Sequence, residues 1–247
     1  MKKIRKQQHQ IPVLLFKVFL ILILSFYSVV HLKSSLYAET VYVFYPTPIS
    51  PKDLKEELSN ACPEIDWSAF ARYKDLNAMV KQNSPDAILA LSPTINELGG
   101  YKIILKGSFK GNIKNAYILV STDNALNPTN IGSIPIAVYD ILGRKSLETF
   151  YNQFINPLPK LERVSKMEDL VTLLSLNMVK GMIIQEIYLN YIKERAARDF
   201  IVTPIPKMEI DGISLAIKEG ANSEKIEKAI QGLIHHKVNF LEVDQWN

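Results

Sequence analysis

The first strand and helix of the chain are predicted in Val41-Tyr-Val-Phe-Tyr-Pro-Thr-Pro-Ile-Ser-Pro51, and the alternation that they begin indicates the fold class. The first five residues of this stretch are β-branched or aromatic, which is typical of a strand buried on both faces. Ser50 suits the N-cap of a helix, where its hydroxyl accepts a backbone hydrogen bond, and Pro51 suits the first helical position. The stretch therefore predicts a strand, a loop and a helix in that order.

The same alternation continues along the chain and restarts once. Before a polar linker at 122–130, strands are predicted at 65–73, 86–92, 101–106 and 116–121, with a helix at 75–82 capped by Asp75. After the linker, strands or extended segments are predicted at 134–139, 161–164, 181–184, 200–204 and 212–217. Helices are predicted at 140–154, 166–177, 186–198 and 223–236, with Asp140 and Ser165 as two of the caps. This order predicts mostly parallel sheets with helices on their faces, in two similar lobes.

The net charge of the 247-residue chain comes from its first 38 residues. The chain carries 29 Lys and Arg against 25 Asp and Glu, a formal +4. Residues 1–38 hold six basic residues and no acidic one, so the remainder has 23 basic and 25 acidic residues, a formal −2. A slightly acidic body without clustered Arg and aromatic residues argues against nucleic-acid binding.

The first 38 residues have the order of a secretory signal peptide: a basic start, an apolar run at 18–30, and a short polar stretch ending at Ala38. A second interpretation joins residues 11–30 across Lys17 into an uncleaved anchor of about spanning length. Both interpretations place the body in a periplasmic or other extracytoplasmic compartment, with membrane contact only through the N-terminal segment.

The sequence shows no sign of catalysis, a cofactor or a metal site. Cys62 is the single cysteine, so the chain forms no internal disulfide. His235 and His236 are adjacent, and neighbouring positions on a helix point in different directions, which does not suit metal ligands. Hydrolase, metalloprotease and phosphate-loop motifs are missing. We therefore expect a binding protein and not an enzyme.

Four segments carry a resemblance to a known family: Tyr117-Ile-Leu-Val-Ser121, Ile136-Ala-Val-Tyr-Asp-Ile-Leu-Gly-Arg144, Val179-Lys-Gly-Met-Ile-Ile184 and Gly212-Ile-Ser-Leu-Ala-Ile-Lys-Glu-Gly220. In order and spacing they are similar to the crossing strand, cleft-lining turn, short buried strand and return strand of periplasmic solute-binding proteins of ABC transporters. The chain most resembles the short phosphate/phosphonate-type members, which have the two-lobed type II fold.

The resemblance implies an α/β fold with two Rossmann-like lobes and a ligand cleft between them. Lobe I would comprise residues 39–115 with 205–247, and lobe II residues 116–204. The implied partners are a small solute and an inner-membrane ABC permease, with the protein itself a monomer. Ligand would bind at the carboxyl ends of strands. The candidate ligand-binding residues at these ends are Tyr45, Thr47, Ser92, Thr94, Ser121, Tyr139, Asp140, Arg144 and Gln185.

One residue departs from the phosphonate-type pattern. Asp140 stands where a small Ser, Thr or Gly run would wrap an anion, and its carboxylate would compete with a dianion for the same N–H groups. Arg144, one helical turn later, either pairs with Asp140 or faces the cleft. An oxyanion is the favoured ligand, and a neutral, zwitterionic or cationic solute is the alternative. For the function, the alternative is a membrane-anchored sensory or envelope interaction module without transport.

Overall fold

A computed structural model of the chain describes residues 38–196, 199–236 and 241–247. The signal-peptide and anchor predictions lie outside these residues. Within them, no helix is both long and apolar enough to cross a bilayer. Glu39–Asn247 forms one compact unit, which we call the body.

Lobe I is built on a sheet of six strands. They are β1 (Glu39–Phe44), β2 (Ile65–Ala69), β3 (Ala87–Leu91), β4 (Tyr101–Ser108), β10 (Ile213–Lys218) and β11 (Gln245–Trp246). Their order is β2-β1-β3-β10-β4-β11. The first three are parallel neighbours, and β10 lies antiparallel between β3 and β4. β1 and β3 are buried almost throughout, as expected for central strands covered on both faces.

Lobe II is built on a sheet of five strands. They are β5 (Lys114–Ser121), β6 (Pro135–Tyr139), β7 (Lys160–Val164), β8 (Gly181–Gln185) and β9 (Ile201–Asp211), in the order β7-β6-β8-β5-β9. Here β6 is parallel to β7 and to β8, while β5 lies antiparallel between β8 and β9.

The two sheets repeat one strand order, and the prediction of mostly parallel sheets needs a correction. In each sheet the strand that enters from the other lobe, β5 or β10, is inserted antiparallel to its neighbours. The chain crosses between the lobes twice, at 109–113 and at Gly212. After each crossing the entering strand starts at the end of the sheet where its parallel neighbours finish, so it runs antiparallel to them. Each lobe therefore holds a mixed sheet.

In the part of the chain that the structure describes, seven α-helices accompany the sheets: α1 (Pro51–Ala61), α2 (Tyr73–Gln82), α3 (Ser92–Leu98), α4 (Arg144–Tyr151), α5 (Met167–Ser175), α6 (Leu189–Arg195) and α7 (Ser223–Gly232). The predicted cap at Ser50 is confirmed, because its hydroxyl accepts the Asp53 N–H at 3.2 Å. Short 3₁₀ turns at Glu186–Tyr188 and Leu233–His236 lie where the sequence predicts continuous helix.

Three predicted helix caps are wrong. α2 begins at Tyr73, and the Asp75 carboxylate instead accepts hydrogen bonds from the Arg72 guanidinium at 2.7 and 3.1 Å. α5 is capped by extended Lys166 with no side-chain hydrogen bond, one residue later than Ser165. α4 begins only after Gly143, whose φ of 75° ends the turn that follows β6, so Asp140 lies outside the helix.

The C-terminal segment returns to the crossing between the lobes. β11 pairs with the end of β4, and the backbones of Lys106 and Asn247 exchange hydrogen bonds at 2.8 and 2.9 Å. The Asp244 carboxylate accepts the Lys110 N–H at 2.6 Å, in the segment that connects β4 to β5. A Cβ added at Gly107 would lie 2.5 Å from the Val243 side chain, so this packing requires glycine.

Candidate functional site

A cavity of about 260 Å³ lies where the carboxyl ends of the parallel strands in both lobes meet. Tyr45 follows β1, Phe70 follows β2, Tyr139 ends β6 and Ser165 follows β7, and all four line it. At the volume that water occupies in the liquid, roughly 30 Å³ per molecule, the cavity has room for about nine non-hydrogen atoms. A small metabolite fits this space.

The two lobes contribute different chemistry to the cavity. Lobe I supplies apolar side chains and hydroxyls: Tyr45, Thr47, Pro48, Ile49, Ser50, Pro51, Leu54, Phe70 and Ala71. Lobe II supplies Tyr139, Ser165, Lys166 and Glu168. Both charged side chains of the lining therefore come from lobe II, at the start of α5.

Hydroxyl groups on the lobe I wall differ in how they are engaged. Thr47 Oγ1 is buried and has no hydrogen-bond partner among the described residues. Ser50 Oγ donates to the Asp53 carboxylate at 2.7 Å while it caps α1. Across the cleft, the Tyr139 hydroxyl donates to the Ala71 carbonyl at 3.3 Å and joins the two walls. The buried Thr47 hydroxyl therefore has unused hydrogen-bonding capacity.

Lys166 and Glu168 stand together on the lobe II wall without forming an ion pair with each other. Neither is in an ion pair with any residue that the structure describes. The Tyr191 hydroxyl of α6 donates to Glu168 Oε1 at 3.0 Å. The Arg195 guanidinium lies 3.9 Å from the centre of the Tyr191 ring. Burial and the bond to Glu168 raise the pKa of Tyr191 to about 12, so its hydroxyl stays a donor.

A buried polar network lies behind Tyr45 and links the lobes. Gln185, at the end of β8, donates from Nε2 to the Tyr117 hydroxyl at 2.9 Å. Gln185 Oε1 accepts from Asn115 Nδ2 at 3.4 Å and from the Tyr45 hydroxyl at 3.5 Å. Burial raises the pKa of both tyrosines well above the ordinary value, so both hydroxyls stay protonated; Tyr45 donates to Gln185 and Tyr117 accepts from it. Two of the candidate residues, Tyr45 and Gln185, are thus brought together, although only Tyr45 lines the cavity.

Ser92 and Thr94 hold structural contacts near the crossing and lie outside the cavity lining. The Ser92 hydroxyl is 3.1 Å from Ser214 Oγ and 3.3 Å from the Asp211 carboxylate, which also pairs with Lys106. Thr94, fully buried, donates to the Ile141 carbonyl at 3.0 Å and so connects α3 to the turn after β6. Both residues join elements of different lobes.

Asp140 and Arg144 do not pair with each other. Asp140 accepts the Gly143 N–H at 2.7 Å and Arg163 Nη1 at 2.7 Å, so its partner comes from β7. Arg144 is exposed at the first position of α4. Neither residue lines the cavity. The Arg163 partner lies 23 residues away in sequence, which the local spacing of Asp140 and Arg144 could not reveal.

Ser121 lies at the end of its sheet opposite the cleft, which corrects the expectation that it faces the ligand. β5 is antiparallel to β8, so Ser121 pairs with Gly181 while Tyr117 pairs with Gln185. At about 3.3 Å per residue, Ser121 is roughly 13 Å from the cleft edge. Its hydroxyl donates to the Asn124 carbonyl at 2.6 Å. Sequence reasoning placed the carboxyl end of β5 at the cleft, whereas the amino end, with Asn115 and Tyr117, is nearest.

Sequence reasoning missed Phe70, Lys166 and Glu168. Phe70 was included in a strand that ends one residue earlier, at Ala69. The sequence predicts Lys166 and Glu168 only as part of the first turn of the helix at 166–177. The available signal was the position of Ser165 directly after β7, since a residue that follows a parallel strand next to β6 lies at the same edge as Tyr139.

Among the described residues, no group of three or more His, Cys, Asp or Glu side chains could hold a metal ion. The Cys62 thiol is buried and donates to the Ala229 carbonyl at 3.2 Å. Burial and nearby Glu64 raise its pKa to about 11, so the thiol is protonated at neutral pH. What the cleft offers chemically is a pair of opposite charges, the unpartnered hydroxyl of Thr47 and aromatic surface, which suit binding.

Comparison with known proteins establishes the fold. No protein-family model matches the sequence, and no curated protein does. The amino acid ABC transporter substrate-binding protein AbpA from Streptococcus pneumoniae, solved with L-arginine, has a TM-score of 0.59 at 12% identity and covers 85% of this chain and 96% of its own. A putative L-cystine ABC transporter protein from Listeria monocytogenes has a TM-score of 0.57 at 11% identity, over 85% and 98%.

A third neighbour, XAC2383 from Xanthomonas citri bound to ATP, has a TM-score of 0.58 at 7% identity, covering 85% of this chain and 90% of that one. The predicted two-lobed α/β fold of type II binding proteins is thereby confirmed. None of these three is described as a phosphate or phosphonate binder, so that narrower prediction stays a prediction.

Proposed function

We propose that the protein is an extracytoplasmic solute-binding receptor whose two lobes close on a small solute and deliver it to an ABC-type permease. The observation that carries this proposal is the cavity of about 260 Å³ between the carboxyl ends of both sheets, lined by residues of each lobe. A clamp requires that both lobes touch the solute, because closure is then stabilised by the solute itself.

An oxyanion group of the solute binds at the start of α5 in this proposal. Lys166 lines the cavity as the cap residue of α5, and no side chain caps the N–H groups of that helix. Uncapped helix N-termini favour anions, and an ammonium group adds a charge-assisted hydrogen bond. Thr47 offers a further hydroxyl from the opposite wall. Asp140 does not oppose the anion, because its carboxylate is paired with Arg163 outside the cavity.

The fold neighbours support a receptor role without determining the ligand. Two of them are described as amino acid or cystine transport proteins and one as an ATP complex. Ligands so different on one fold show that the cleft residues select the solute. The ligand class therefore depends on the residues that line this cavity.

The test is thermal unfolding of the body Glu39–Asn247, which contains both sheets, with a panel of solutes. The panel comprises phosphate, sulfate, phosphonates, amino acids and polyamines. A solute that binds only the folded state adds about 2.7 kcal/mol at a concentration 100-fold above its Kd, which raises the Tm measurably. We expect an oxyanion-bearing solute to raise the Tm. A panel without any shift contradicts the receptor proposal.

The compartment is tested by the mature N-terminus. Cleavage after Ala38 releases a free receptor that starts at Glu39, whereas an intact Met1 favours the membrane-anchored alternative. Intact-mass measurement of the protein from its native host distinguishes the two.

A further inference from the structure

Glu168 is the feature of the cleft that an oxyanion alone does not explain. Its carboxylate shares the lobe II wall with Lys166 and forms no ion pair with any described residue. A free phosphate or sulfate bound at Lys166 would share the cavity with this second negative charge, and like charges repel each other. A ligand that suits both side chains must carry both signs of charge.

The orientation of Glu168 is set by a second layer of contacts. Tyr191 donates its hydroxyl to Glu168 Oε1 at 3.0 Å, and the ring of Tyr191 lies under the Arg195 guanidinium. One donated hydrogen bond uses only one of the roughly four acceptor positions of a carboxylate. The remaining positions are free for a ligand. A carboxylate that is held in place but not neutralised is suited to bind a cation.

Aromatic side chains at the same cavity support this assignment. Phe70 and Tyr45 from lobe I and Tyr139 from lobe II line the space that faces the two charges. The faces of aromatic rings attract ammonium groups, and this attraction grows when water is excluded by closure. The cavity therefore has a cation-binding part and an anion-binding part within about nine non-hydrogen atoms of space.

We infer that the ligand of the cleft is a small organic zwitterion, with an ammonium group bound by Glu168 and an oxyanion bound by Lys166 and the start of α5. Tyr191 is a positioning residue that acts through Glu168. This inference rests on the proposed receptor function and adds the charge of the ligand and the residue that selects it.

The experiment compares matched solutes that differ only in the amino group. Titration calorimetry on the body uses 2-aminoethylphosphonate against ethylphosphonate, and β-alanine against propionate. In the wild-type protein the amino member of a pair binds at least about tenfold more tightly, as expected for a charge-assisted hydrogen bond. Glu168→Gln reduces that preference to about threefold or less, since it keeps the shape and removes the charge.

Two further variants separate the selective role from a structural one. Asp169→Asn removes an equal charge from the same first turn of α5. Both carboxylates are exposed, but Asp169 does not line the cavity, so the preference for the amino member stays. Tyr191→Phe keeps the ring beside Arg195 and removes the hydroxyl. It lowers the amino preference by about threefold while the affinity for ethylphosphonate is unchanged.

Equal binding of both members of each pair by the wild-type protein overturns the zwitterion inference and leaves the receptor proposal intact. The zwitterion inference is also overturned if the solute that shifts the Tm lacks a cationic group, or if Asp169→Asn reduces the amino preference as much as Glu168→Gln does. If no solute binds at all, the receptor proposal fails and the inference fails with it.

Discussion

The two lobes have the same strand order and opposite roles at the cleft. In each, three parallel strands end at the cleft and one entering strand is inserted antiparallel. The nine lining residues of lobe I include no charged side chain, whereas the four of lobe II include Lys166 and Glu168. Topology therefore determines where a solute can bind, and the few residues that follow each strand determine which solute binds there.

The largest expected effect concerns the cores, where the lobes should behave alike. Leu58 of α1 in lobe I and Leu147 of α4 in lobe II are fully buried. Leu58→Ala and Leu147→Ala should each lower the free energy of unfolding by about 2–5 kcal/mol, because each leaves a cavity. Urea unfolding followed by circular dichroism measures this. Leu176→Ala, at a position 65% exposed, is the control and should change little. A loss confined to one lobe would break the similarity of the two cores.

A pair of threonines separates structural from binding hydroxyls. Thr94 Oγ1 donates to the Ile141 carbonyl across the lobes, whereas Thr47 Oγ1 has no partner among the described residues. Thr94→Val should lower the free energy of unfolding by about 1–3 kcal/mol, because a buried carbonyl loses its donor. Thr47→Val should leave stability unchanged or slightly higher, and weaken solute binding.

Urea unfolding and calorimetry of both variants check this difference. If Thr47→Val destabilised the protein as much as Thr94→Val, the Thr47 hydroxyl would have a structural partner, and its assignment to the cleft would be wrong.

The smallest effect concerns Glu242, in the C-terminal segment that returns to lobe I. Burial raises the pKa of its carboxyl above the ordinary value, and nearby Lys110 partly lowers it. A carboxyl with a raised folded-state pKa favours folding when protonated. The contribution of Glu242 to stability is therefore fully present below the pKa of the unfolded state, about 4.5, and is lost as the pH rises through the pKa of the folded state.

Glu242→Gln removes this dependence. The variant should be more stable than the wild-type protein near neutral pH, with the difference vanishing below about pH 4. Thermal unfolding as a function of pH measures it, with exposed Glu219→Gln as the control. A variant that is less stable at neutral pH would show that the ionised carboxylate of Glu242 is needed.

Much of this fold follows from local sequence patterns, and much of the site does not. The strand of β1, the cap at Ser50 and the restart of the alternation near residue 134 are encoded by neighbouring residues, so the two-lobed fold could be predicted. The direction of β5 depends on which lobe it enters, and local patterns do not record this. Local patterns therefore predict Ser121 at the cleft end of the sheet, whereas the structure has Tyr117 nearer to that end.

The cleft charges were missed for a related reason. Asp140 is a candidate from the sequence because it follows β6 directly, yet its partner Arg163 comes from the neighbouring strand. Lys166 and Glu168 look like ordinary surface residues in sequence, and only the pairing of β6 with β7 brings them to the cavity. Contacts between strands that are distant in sequence decide such positions.

Whether Lys166 binds the oxyanion of the solute is tested by calorimetric titration of the body with 2-aminoethylphosphonate, comparing Lys166→Gln with Lys145→Gln. Lys166 lines the cavity, whereas Lys145 is an exposed lysine of α4 outside it. Lys166→Gln should weaken binding at least about tenfold, whereas Lys145→Gln should leave the Kd within about twofold of the wild-type value. Equal affinities in the two variants, or no binding to the wild-type protein, would contradict this role of Lys166.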